Sequence, residues 1–130
     1  MGMAIGRTHI GATALALALL ATPAQAQVPT GVVPYDAKLV RLAEVLGSIH
    51  YLRNLCGEVS NQWRDQMEGL LAAESPDPVR RARLVASFNR GYRTFDSVYV
   101  TCTQQALEAA NRYQTEGVAL TREITARYAD

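Results

Sequence analysis

From residue 36 onward the apolar side chains recur every three or four positions, the period of helices that bury one face. Leu39, Leu42, Leu46, Ile49 and Cys56 form the first stripe, on a helix predicted to run from Asp36, its expected N-cap, to about Cys56. Gly57 is the natural stop. A second helix is predicted from Ser60 or Asn61 to near Glu74, with Trp63, Met67, Leu70 and Leu71 on one side. Ser75-Pro76-Asp77-Pro78 then punctuates the chain. Each proline disfavours helix in the residue before it, and Asp77 is placed to cap a new helix with Pro78 at its first position.

The apolar positions of that third helix are Leu84, Phe88, Tyr92, Phe95, Tyr99, Cys102, Ala106, Ala109 or Ala110, and Tyr113. The spacing holds throughout and predicts one long helix. Two features work against it: Gly91, and the strand-like composition of Ser97-Val98-Tyr99-Val100-Thr101. Strand is therefore the alternative at 97–101, while Gly91 and Gly117 are the candidate break points. Leu120, Ile124 and Tyr128 carry the period into a C-terminal helix, either the same helix prolonged or a separate piece. The expected fold is all-α: a small antiparallel bundle of three or four helices with one long helix and one disulfide.

The residues before Asp36 are of another kind. Residues 27–35 hold two prolines and a glycine without any period and read as an extended leader. Residues 1–26 combine Arg7, an apolar run from Ile10 to Ala21 and the small-residue triplet Ala24-Gln25-Ala26, which is the pattern of a cleavable signal peptide. A retained membrane anchor is the alternative, but a spanning helix needs roughly 20 apolar residues and this run is shorter. Cleavage is expected after Ala26, and no Cys lies there to take a lipid. The expected division is thus a signal peptide at 1–26, a leader at 27–35 and a single helical domain at 36–130, soluble and periplasmic, with no stable membrane anchor.

The chain has 130 residues, 48% of them hydrophobic, and 13 Lys and Arg against 12 Asp and Glu. That is a foldable composition with one domain as the prior. Loss of the signal segment removes Arg7 and no acid, so the mature charge balances at zero. Whole-protein attraction to nucleic acid or to anionic lipid is not expected. Both cysteines, Cys56 and Cys102, survive cleavage. An even pair in an exported chain reads first as a disulfide, and closing a loop of about 47 residues is worth roughly 4 kcal/mol in the chain-entropy model. Cys56 shares a face with the leucines, so the bridge is expected to be buried. A redox thiol and a metal ligand are the alternatives, but there is no CxxC, and His50 is the single mature histidine.

Tyr51-Leu52-Arg53-Asn54-Leu55-Cys56, Trp63-Arg64 with Met67, Phe88-Asn89-Arg90-Gly91-Tyr92-Arg93, and Tyr99 with Cys102 together resemble a family of small exported alphaproteobacterial proteins of unknown function. The resemblance spans about residues 36–128. It implies an export signal, a cysteine pair and an envelope location in a Gram-negative cell, and it brings no activity and no catalytic residues.

Arg80, Arg81, Arg83, Arg90 and Arg93 lie within one short stretch, and Arg83, Arg90 and Arg93 fall on one side of the third helix. They read either as a guanidinium patch for a carboxylate, phosphate or partner, or as an ordinary solvated face. His50 is either a pH-sensitive residue in a mildly acidic compartment or a boundary residue bonded to a neighbour. Asn89-Arg90-Gly91-Tyr92 is either a ligand-contacting kink or a place where Gly permits close helix approach. No nucleophile elbow, P-loop, zinc-protease motif or dinucleotide fingerprint is present, and no physical ground selects a catalytic pair from Glu44, Glu58, Asp65, Glu68 and Asp96. The expectation is a non-enzymatic module without cofactor or metal, binding an envelope protein through a helical face. A small helical holdase chaperone is the first alternative. A cell-wall hydrolase or its regulator, with a cell-wall component as partner, is the second.

Overall fold

The computed structural model describes residues 33–128, with Gly2 alone before them; the expected signal segment at 1–26 is otherwise outside the described residues, as are residues 27–32 of the expected leader. Four helices follow in order: α1 (Asp36–Leu55), α2 (Gln62–Glu74), α3 (Pro78–Asp96) and α4 (Gln104–Tyr128), with no strand among the described residues. Successive helices run up and down, so α1 and α3 are parallel. Asp36 meets Arg80 at one end of that pair, and the Tyr51 hydroxyl donates to the Tyr99 carbonyl at the other.

α1 is the hub of the molecule. Every sizeable helix–helix interface among the described residues has α1 as one member. It buries Leu39, Leu42, Leu46, Ile49 and Leu52, as a one-sided stripe would, but also Ala43, Val45, Gly47 and Ser48 on its other sides. The closest packing is against α3. A Cβ on Gly47 would sit 1.9 Å from the Phe88 carbonyl oxygen, and one on Gly91 would sit 1.9 Å from the Glu44 carbonyl oxygen. Only hydrogen fits at either position, so two glycines set how near the helices come. Gly91 does not break α3, which continues to Asp96.

Charged groups fasten the N-terminal end of the hub. Asp36 is the first helical residue and not the N-cap, which is Tyr35. Its carboxylate accepts from Arg80 Nε at 2.7 Å, while Arg80 Nη2 donates to Glu74 at 2.6 Å and the Tyr35 hydroxyl reaches the same Glu74 oxygen. Arg80 is thus buried between α1, α2 and α3, apart from the exposed Arg83, Arg90 and Arg93 further along α3. Burial opposes its charge, but hydrogen bonds and field from Glu74 and Asp36 outweigh that and hold it protonated beyond even its ordinary range. At the start of α3, Asp77 accepts from the backbone N–H groups of Val79 and Arg80 with Pro78 in the first turn, as the sequence predicts.

The long helix is corrected too. Between Asp96 and Gln104 the chain leaves helical geometry, and the strand alternative at 97–101 is equally absent. An unbroken helix from Pro78 to Tyr113 would be about 54 Å long against about 30 Å for the hub, leaving much of its apolar stripe without a surface to cover. The chain turns instead. Phe95 closes α3 by accepting from Val98 and Tyr99, and Thr103 opens α4 with its hydroxyl accepting from the Ala106 N–H at 3.1 Å. Gly117 lies inside α4 without interrupting it, packed 3.3 Å (as a would-be Cβ) from Val45.

Cys56 and Cys102 form the disulfide, with Cα atoms 4.9 Å apart. It is not the buried bridge expected. Cys56 is half-buried just past the end of α1, and Cys102 is exposed in the turn before α4. A small second core of Leu52, Ala106, Ala109 and Ala110 lies against it, flanked by Tyr51, Phe95 and Tyr99. The bridge therefore pins the α3–α4 turn to the end of the hub.

Two stability measurements follow from this packing. Gly91→Ala is expected to lower the unfolding free energy by about 2 to 3 kcal/mol despite a propensity gain of about 1 kcal/mol. Gly69→Ala on exposed α2, where nothing lies within 4 Å of the new Cβ, is expected to raise it by up to about 1 kcal/mol. Urea unfolding of the two variants checks the opposite signs. Cys56→Ser is expected to lose up to roughly 4 kcal/mol, and a wild-type melting temperature in that variant would refute a structural bridge.

Candidate functional site

A groove runs along the side of the hub that α3 does not cover. Its floor is Leu42, Leu46 and Ile49 of α1, one wall is Gln62, Trp63 and Gln66 of α2, and the other is Gln114, Gly117, Val118, Thr121 and Arg122 of α4. Its volume is about 370 Å³, within the range of ligand-binding clefts. The walls are antiparallel to the floor, so Gln62 and Gln114 stand at the Ile49 end and Thr121 and Arg122 at the Leu42 end. Val118 is 46% exposed on the rim.

The polar side of α4 explains why its groove face carries no acid. Glu116 accepts both Nε and Nη2 of Arg41 at 2.6 and 2.9 Å, and Glu123 accepts Lys38 Nζ at 2.9 Å. Arg41 is held charged above its ordinary range chiefly by the hydrogen bond it donates to Glu116, against the effect of burial. Its guanidinium also lies 5.3 Å from the centre of the Tyr113 ring. These pairs draw Glu116 and Glu123 to the flank facing α1. Glutamines, Val118 and Arg122 are left along the groove.

The residues singled out in the sequence lie elsewhere. Arg83, Arg90 and Arg93 are exposed on α3. Arg90 donates to Glu44 at 3.1 Å and to the Ser87 hydroxyl at 3.2 Å, bridging α3 to the hub; Arg83 and Arg93 have no ion-pair partner among the described residues. Asn89 lines a small cleft of about 180 Å³ between α2 and α3, with Arg64 and Glu68 on its rim. Of the carboxylates weighed for catalysis, Glu44, Glu58 and Glu68 are each paired with an arginine. Among the described residues no three His, Cys, Asp or Glu side chains gather as metal ligands would, and no helix is long and apolar enough to cross a membrane.

Residues 34–128 match the family described as "Protein of unknown function (DUF2385)". The chain belongs to this family. No curated protein and no solved structure matches it significantly. The family places no activity on any residue, so the groove rests on geometry alone. Its α4 wall escapes sequence reasoning because the apolar stripe of that segment runs through Leu120 and Ile124, and these pack on the first core cluster. The available clue is the run Gln114, Val118, Arg122 at four-residue spacing, together with Gln62 and Gln66 on α2.

His50 sits at the edge of the core. Asn54 Nδ2 stands 3.2 Å from its Nδ1, and the ring lies 5.9 Å from the ring centres of both Phe88 and Tyr92. Burial lowers its pKa below the ordinary 6.5, nearby Arg64 lowers it further, and Asp65 opposes both. The folded state therefore favours the neutral ring. Its contribution to stability is present above about pH 6.5 and is lost as pH falls below that value through the depressed folded pKa. Thermal unfolding between pH 7.5 and 5 is expected to fall more steeply for the wild type than for His50→Gln, and identical slopes would contradict this assignment.

Proposed function

We propose that this chain is a non-enzymatic protein-interaction module of the bacterial envelope, exported to the periplasm by a signal segment cleaved after Ala26. The observation that carries the interaction reading is the groove between α2 and α4. The rim residue Val118, 46% exposed, stands beside neutral amides over the buried side chains of Leu42, Leu46 and Ile49, and no other helix among the described residues lies over the groove. Such a mixture of apolar floor and polar rim suits a protein partner. The pairing of Glu44 with Arg41 and with Arg90 of α3 supports the non-enzymatic reading, since that carboxylate is engaged in tying α3 to the hub. Export is supported by the Arg7, Ile10–Ala21 and Ala24-Gln25-Ala26 pattern and by a disulfide that persists in oxidising compartments.

Site-specific photocrosslinking tests the reading. A photoreactive residue at Gln66 or Val118 is expected to capture the same envelope protein, while one at Arg83 on α3 is not. Equal capture from all three positions, or none from the groove positions, would contradict it.

A further inference from the structure

The penultimate residue of α1 clasps the loop that follows it. Asn54 Oδ1 accepts from the Ser60 backbone N–H at 2.9 Å, and Asn54 Nδ2 donates to the Ser60 carbonyl at 3.1 Å and to the His50 carbonyl at 2.7 Å. Among the described residues these are the hydrogen bonds that tie Val59 or Ser60 to α1, for the backbone bonds of Gly57 and Glu58 to Asn54 and Arg53 stop short of them. Val59 is 81% exposed. The same Nδ2 stands 3.2 Å from His50 Nδ1. Since the Ser60 N–H fixes which end of the amide is oxygen, the ring nitrogen facing Nδ2 is an acceptor, and the neutral ring carries its proton on Nε2.

A charged His50 has an N–H on both ring nitrogens, so its Nδ1 then points a proton at the donating amide. Turning the Asn54 amide over offers oxygen to the ring, but it sets the NH2 against the Ser60 N–H and the oxygen against the carbonyls of Ser60 and His50. One carboxamide serves the neutral ring and Ser60 together, or the charged ring alone. Around the imidazole, α3 contributes the rings of Phe88 and Tyr92 at 5.9 Å, and α2 contributes Arg64, which opposes the charge, and Asp65, which favours it.

We infer that the α1–α2 loop is an acid-released latch: protonation of His50 loosens Asn54 from Ser60 and frees residues 59–60, while the disulfide keeps Cys56 in place. The freed segment leads into Gln62, where α2 and one wall of the groove begin. The device does not depend on what the groove binds. Because the folded state favours the neutral ring, the latch is closed above about pH 6.5 and opens as pH falls through the depressed folded pKa.

Relaxation NMR of the isotope-labelled, disulfide-bonded chain between pH 7.5 and 5 tests the inference, with the His50 ring proton followed in the same samples. Backbone order parameters at Val59 and Ser60 are expected to fall from about 0.85 to below about 0.6, with the midpoint of the ring titration. His50→Gln is expected to keep both residues ordered throughout. Asn54→Ala is expected to leave them loose at every pH and, by linkage, to raise the His50 midpoint toward the ordinary 6.5. Unchanged order across the ring titration, the same fall in His50→Gln, or wild-type order in Asn54→Ala at neutral pH would overturn the inference. So would loss of order at Gly47 and Gly91 together with the loop, which marks acid unfolding of the whole bundle and not a local release.

Discussion

The closeness of α1 to α3 governs this molecule. These are the parallel pair, which a square four-helix arrangement would hold apart on its diagonal. Gly47 and Gly91 remove the side chains that would keep them apart, each giving its place to a carbonyl oxygen of the facing helix. With that diagonal shortened, α1 becomes a helix buried on several sides, and α2 and α4 are pushed outward to its flanks. The groove over Leu42, Leu46 and Ile49 is the space this leaves. The site and the core thus have one cause. Each glycine forgoes about 1 kcal/mol of helix propensity, and the backbone contact it permits requires that sacrifice.

Charge completes what the close packing begins. Around the hub, Arg80 joins the ends of three helices through Asp36 and Glu74, Arg41 and Lys38 fasten α4, and Arg90 ties α3 to Glu44. The Arg80 cluster is largely out of water, where removing one partner leaves an uncompensated charge, so it enforces register more than it adds net stability. The pairs around the hub engage only Lys38, Arg41, Arg80 and Arg90 among the bases. Exposed arginines such as Arg83, Arg93 and Arg122 stay outside them, a local feature that overall charge does not reveal.

Much of the fold was legible. The Pro76 to Pro78 punctuation, the Asp77 cap, the stop at Gly57 and the leucine stripes of α1 and α2 place both ends of α1 and α2 and the start of α3 to within a residue or two, because each is a local signal. Two things were not. The break after Asp96 was hidden because the three-four spacing continues through the turn, and tertiary length limits a helix in a way that local spacing cannot. The Thr103 cap and the β-branched Val98, Val100 and Thr101 were the available clues. The second is the groove, whose floor residues look like ordinary core positions. They become a site only because Gly47 and Gly91 draw α3 to the other side, and a glycine in a helix does not announce what it will touch. Arg80 is a similar case: its charge predicts solvent, and only the approach of Asp36 and Glu74 from other helices makes burial tolerable.

The central claim is that the α2–α4 groove is where this chain meets another molecule. With 5-fluorotryptophan incorporated, the chain carries a single fluorine, at Trp63 on the groove wall. Its fluorine NMR spectrum in unlabelled envelope extract is the direct measurement. The account predicts that the single resonance shifts or broadens in extract and returns to its free position when groove-facing Val118 is replaced by Glu. A sharp resonance at the free position in wild-type protein, with extract in excess, would contradict it.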